Sequence, residues 1–311
     1  AANNTGTANT ALGYQALTGN TSGFSNTALG VNAMNDNTTG YLNVAIGRDA
    51  LYTNVGKTGS TAIGYQAMRY ADSTASSTNT SNTAIGYQAL KGSSTAANNT
   101  GYDNTALGST VLANNTSGHH NVALGSYTAL SNTTANYIVA IGARALYSNT
   151  EGNGNVAIGY QALYTNVADN YSTAVGYKAM QYADSNATGS NTYNTALGYQ
   201  ALRGSLIAAD NTGNYNVAVG GDSLANNTAG GFNIAIGYGV LGANSTGSYN
   251  TGNGSQALAN NTTGQSNIAI GHHALLSNVA NDGSVAVGYQ AMRYADSTAT
   301  GSTTYNTAIG Y

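Results

Sequence analysis

Cysteine, proline and tryptophan are all missing from the 311 residues, and only 6% of the chain is charged. The lack of cysteine excludes disulfides and thiolate metal sites without deciding the compartment. Eight Lys and Arg against eleven acids leave a net charge of −3, which gives no basic face for nucleic acid. No apolar run approaches the roughly 20 residues needed to span a bilayer, so this segment is not expected to cross one. Low charge with abundant Gly and Ser suits a disordered chain. Yet 41% of the residues are hydrophobic, and they recur at fixed places, which disorder does not require. No signal peptide is visible, and the opening "AANNTG" reads like the tail of a repeat. Both ends are therefore expected to be cuts through a longer array.

What is present is repetition. "NTAIGYQAL" at 82–90 returns as "NTALGYQAL" at 9–17 and 194–202 and as "NVAIGYQAL" at 155–163. Aligned on its glycine, the motif recurs 17 times, from Gly13 to Gly310, with spacings of 17 or 22 residues. Four short and two long spacings make a six-unit block of 112 residues: "GYQAMRYADST" at 64–74 returns at 176–186, with substitutions, and at 288–298. Internal repeats on this scale override any division of the length into globular domains, so residues 1–311 are expected to form one continuous array.

The columns of the alignment suggest the fold. Two residues before the glycine stands Ala in 16 of 17 units, and one before stands Ile, Leu or Val in 16 of 17, so both places are constrained. Three before, Thr alternates with Val and Ile; four before, Asn dominates. Four after, Leu or Met fills all but one complete unit, and seven after, Asn occupies every 17-residue unit. A short β-branched segment, a corner glycine and an Asn-Thr-Thr-Gly turn fit one coil of a parallel β-solenoid. The expected fold class is thus all-β, with parallel strands at "TAI" and at "AL" in each coil. Seventeen coils would extend ~80 Å at the ~4.8 Å spacing of paired strands. Asn side chains are expected to bond along the axis as ladders. Thr10 and Leu12 should share one strand face and Ala11 take the other. The aliphatic face is read as the core. The Ala face is read as a surface narrow enough for close approach of another chain, giving a homotrimer or a filament. The five extra residues of long units should bulge outwards as loops.

With "NTAIGYQA" at 82–89 and Asn155, Val156, Ala157, Ile158 and Gly159 in view, the chain resembles the head repeats of trimeric autotransporter adhesins. It is also similar to repeats of phage and bacterial tail fibres. The resemblance implies a left-handed parallel β-roll, three chains around one axis and a role in attachment.

No catalytic set emerges. The acids are scattered; Asp72, Asp184 and Asp296 share a column six coils apart and read as solvated loop charges beside Arg69 and Arg293. His119-His120 and His272-His273 read as surface turn residues rather than metal ligands, since neighbours on a strand face opposite ways. No cofactor is expected. Asn20-Thr21-Ser22, Asn37-Thr38-Thr39 and Asn261-Thr262-Thr263 match the N-glycosylation pattern, although turn composition explains them as well. Tyr follows the motif glycine in nine units, where stacking would stabilise the ladder. The expectation is a non-enzymatic extracellular structural protein: an adhesin, surface filament or tail fibre on a cell or virion surface, meeting a host surface or matrix receptor or a glycan. The alternatives are a carbohydrate-binding or carbohydrate-active β-helix and, behind it, an ice-binding solenoid. The Thr column swaps to Val and Ile too freely for a regular hydroxyl lattice.

Overall fold

The computed structural model of the protein describes residues 5–71, 78–95, 98–185, 189–295 and 301–311. Seventeen three-residue strands lie at the "TAI" positions, one per repeat, from β1 (Thr10–Leu12) to β17 (Thr307–Ile309). Every pairing is parallel and joins like to like, as in Thr27↔Val44, Ala28↔Ala45 and Leu29↔Ile46. The strands belong to two compact units, residues 1–154 and 155–311. The first runs from β1 to β8 (Val139–Ile141) and the second from β9 (Val156–Ile158) to β17, and within each unit consecutive strands pair. The all-β parallel solenoid expected from the period is what forms.

The core is not the expected one. In all strands but the first and last the middle residue is buried and its flanks face out: Ala45, Ala62 and Ala157 are fully buried, while Leu29, Leu107 and Ile236 are at least 40% exposed. The alternation was read correctly and its inner side inverted. The interior is lined by two alanine columns and one Leu/Met column, as with Ala28, Ala33 and Met34, each 0% exposed. Opposite walls of so small a coil stand too close for an Ile on the strand and a Leu across from it, so only a methyl fits on the strand side. The strict Ala column therefore marks the confined wall. Lateral association through Ala is excluded, because that face is already filled by the chain itself.

The "AL" segment is a second correction. It forms a turn, not a strand, and its Leu or Met sits in the left-handed region at φ of +47° to +55°. That conformation costs a non-glycine residue ~1–2 kcal/mol. It persists because it aims the side chain into the core while the amide reaches the neighbouring coil, as Met34 N–H does to Ala50 O at 3.0 Å. The motif glycines do turn the corner, all at φ between +123° and +143°.

The irregular unit at Gly254 behaves differently from its neighbours' columns. β14 (Thr251–Asn253), where Gly252 and Asn253 break the Ala and aliphatic columns, keeps parallel register with β13 (Ile234–Ile236) and β15 (Ile268–Ile270). Asn253 is exposed because its column faces out. The missing methyl of Gly252 is replaced from across the coil: a Cβ there would overlap Cγ1 of Val240, which stands in a column where most coils have Ala. Gly252→Ala is thus expected to destabilise by ~1–3 kcal/mol through overpacking. Val240→Ala should also destabilise, by leaving a void. The double variant should recover most of the loss, and a double-mutant cycle from denaturation midpoints measures that coupling.

Candidate functional site

Two asparagine columns form the polar half of each interior. Asn26 Oδ1 accepts from the Asn43 backbone N–H at 3.1 Å, and Asn26 Nδ2 donates to Gly40 O at 2.8 Å. In the second column Asn37 Nδ2 donates to Asn20 Oδ1 at 2.9 Å and to Gly40 O at 3.2 Å. Asn261 does the same to Asn244 Oδ1 at 2.8 Å and Gly264 O at 3.0 Å. A short amide offers both a donor and an acceptor at each step of such a ladder. This places the three sequence-predicted glycosylation asparagines inside: Asn20, Asn37 and Asn261 are at most 5% exposed. Their side-chain nitrogens point at carbonyls, so a glycan there requires the coil to open. Thr21, Thr38 and Thr262 are half-buried, donating to Thr38 O, Val55 O and Val279 O one coil on.

Tyrosines stack on the outside. Tyr160, Tyr177 and Tyr199 follow one another with ring centroids 5.4 Å apart. A second column, invisible in the motif alone, runs Tyr171, Tyr193, Tyr215, Phe232 and Tyr249, with centroids 4.8 to 5.4 Å apart and planes within 22°. Each ring's faces are covered by its neighbours, so edges point outwards. A sugar that packs on a ring face finds one only at a column's end, which disfavours these ladders as a glycan platform. His119 and His120 fall beside Tyr102 and Tyr137 in a comparable aromatic cluster, with Asp103 Oδ2 3.6 Å from His120 Nδ1. Among the described residues no group of three or more His, Cys, Asp or Glu is placed to hold a metal.

The long coils carry the unexpected chemistry. Residues 181–185 do not bulge; Gln181, Ala183, Asp184 and Ser185 are buried. Asp184, read from sequence as a solvated charge, accepts hydrogen bonds from Ser172 Oγ, from Thr192 Oγ1 at 3.1 Å and from Asn194 Nδ2 at 2.8 Å. Asp72 and Asp296 lie outside the described residues. Burial pushes the Asp184 carboxyl up to about 6, and the charge of Asp169 adds to the rise, against the three hydrogen bonds that hold it down. The native state therefore binds this proton more tightly than the unfolded chain. Its stabilising contribution is complete below pH ~4 and is lost as pH rises through 6. A shift of this size is worth ~3 kcal/mol. Unfolding midpoints should fall between pH 4.5 and 7.5 in the native protein, and Asp184→Asn should flatten that slope and raise the midpoint at pH 7.5.

The other long coil does protrude. Leu206 and Ile207 are exposed beyond a loop closed by buried Asn211, whose Nδ2 donates to Ser205 O at 2.7 Å while its Oδ1 accepts from Ser205 N–H at 2.8 Å. Asn99 closes the loop at Ser93 in the same way, with bonds of 2.6 and 2.9 Å. No family model matches the chain, and no curated protein matches it.

Proposed function

We propose that the protein is a non-enzymatic structural element of an extracellular fibre, on a cell or virion surface, and that copies of it associate side by side through the outward aliphatic face of the strands. The observation that carries this reading is that face. Ile234, Ile236, Ile268 and Ile270 are each between 38% and 41% exposed, and Val122, Leu107 and Leu124 repeat the pattern in the first unit. Aliphatic side chains of this kind stand one residue before the motif glycine in 16 of the 17 coils, on in-register backbone, and contiguous apolar surface of this sort marks an interface. Three further points support a structural role. Each coil repeats the register of the last, so strength grows with number of coils. The interior amides are bonded along the stack. The similarity of "NVAIG" at 155–159 to adhesin head and tail-fibre repeats points the same way and favours three copies.

Sedimentation equilibrium of the full chain tests the proposal. The expected result is a discrete multiple of the chain mass, reduced to a folded monomer by Ile236→Lys with Ile270→Lys. A native protein that sediments as a monomer at micromolar concentration contradicts it. Hydrolysis of a polysaccharide by the purified chain would return the carbohydrate-active reading.

A further inference from the structure

A cleft of about 520 Å³ opens beside the protruding loop of the second unit, lined by Lys178, Gln181, Tyr182, Gln200, Arg203 and Asn226 among others. Its lining holds two cations and no carboxylate. Among the described residues neither Lys178 nor Arg203 has an acidic partner; the ion pairs involve Arg48, Arg69 and His120 instead. In a chain with only eight Lys and Arg, two uncompensated cations on one cleft require a reason.

Arg203 is held ready. Its Nη1 donates to Gln200 Oε1 and its Nη2 to Asn226 Oδ1, both at 3.1 Å. Two of its five N–H groups fix the plane and the others remain for a ligand. Gln181 is set in turn by its Nε2 bond to Gln161 Oε1 at 2.9 Å, which leaves its own carbonyl oxygen available.

Comparison with the preceding 112-residue block sharpens the point. Gln66 and Arg69 become Lys178 and Gln181, so cation and amide change places, and Lys91 becomes Arg203. A pair of positive charges survives this exchange. In the first block Asp49 serves Arg48 and Arg69, and all three are replaced together, by Gln161, Tyr160 and Gln181. The cleft that results keeps two cations with no carboxylate in its lining, an arrangement suited to an outside anion.

We propose that this cleft binds a uronic acid residue of an acidic polysaccharide. The carboxylate meets Arg203 and Lys178, and the sugar hydroxyls meet Gln181, Tyr182 and the Ser205 hydroxyl. A lone inorganic anion uses donors only and leaves most of the cavity empty; the volume falls in the ~300–1,000 Å³ range of small-ligand sites. A nucleic acid is disfavoured by the net charge of −3. The site lies within the second unit and does not depend on lateral association.

The test is calorimetric titration of the full chain with an oligogalacturonide and with its methyl ester, which keeps the hydroxyls and loses the charge. The acid is expected to bind, and the ester to bind about 10-fold more weakly or worse, the usual worth of a charged hydrogen bond. Lys178→Gln with Arg203→Gln should cost at least about 10-fold. Lys178→Gln installs the residue found at position 66, so the fold already accommodates it, and circular dichroism verifies the double variant. Gln161→Asp, which restores the acid of the first block, should weaken binding although it removes no donor to the sugar. The proposal is overturned if the oligogalacturonide does not bind, if the ester binds equally, if the variants bind like the native chain, or if inorganic phosphate competes as well as the uronide. Sedimentation of the same samples reports association separately, so either proposal can fail alone.

Discussion

Replacing Asn233 with alanine is expected to cost about 3–6 kcal/mol, a large share of the stability of an ordinary domain. Asn233 Oδ1 accepts from Asn250 N–H at 3.0 Å, and its Nδ2 donates to Gly247 O at 2.9 Å and Asn216 Oδ1 at 3.2 Å. All of these groups lie in the interior, where no water replaces the lost amide, and each stranded polar atom costs ~1–3 kcal/mol. Asn233→Asp should be no better, because a carboxylate cannot donate to Gly247 O and would bring a buried charge. Denaturant unfolding of the second unit measures the loss. A change below about 1 kcal/mol would mean that the ladder is decoration rather than structure.

Gly47→Ala should be comparably severe for a different reason. Gly47 sits at φ +124°, and a Cβ there would lie 2.6 Å from Gly64 O and 2.8 Å from Gly64 C in the next coil. Two penalties combine: a backbone region open almost only to glycine, at ~1–3 kcal/mol, and a contact with backbone that cannot rotate away. Coils support only their neighbours, so the damage should be local. Hydrogen exchange should accelerate at 44–47 and 61–64 and stay slow several coils away. Unchanged protection at those residues would contradict the account of the corner.

Much of this was legible in the sequence, because stacking puts each residue on its own copy. Period, strand position, the corner at Gly47 and the role of Asn26 and Asn37 all follow from columns. The inward side did not follow from hydrophobicity, which favours Ile46 over Ala45. The better guide was tolerance of size: the column of Ala45 is nearly invariant, whereas that of Ile46 accepts Leu29, Val175 and Asn253. The left-handed turn at Met34 left no local signal, since nothing in a Leu or Met announces positive φ. Asp184 was misread because a loop aspartate looks the same whether water or Ser172, Thr192 and Asn194 surround it. The cleft at Arg203 was hidden because its members come from different coils.

The claim on which the rest depends is that alanine fills the coil and the larger aliphatic residue looks out. Denaturation midpoints of the matched variants Ala235→Ile and Ile236→Ala test it most directly, since the two residues are adjacent on β13 and face opposite ways. The account predicts that Ala235→Ile is the more damaging, because it forces three carbons into a wall that is 0% exposed, and that Ile236→Ala is mild in the dissociated chain. A mild Ala235→Ile beside an Ile236→Ala loss of ~2–5 kcal/mol, the range of core truncations, would show the coil to be built the other way round.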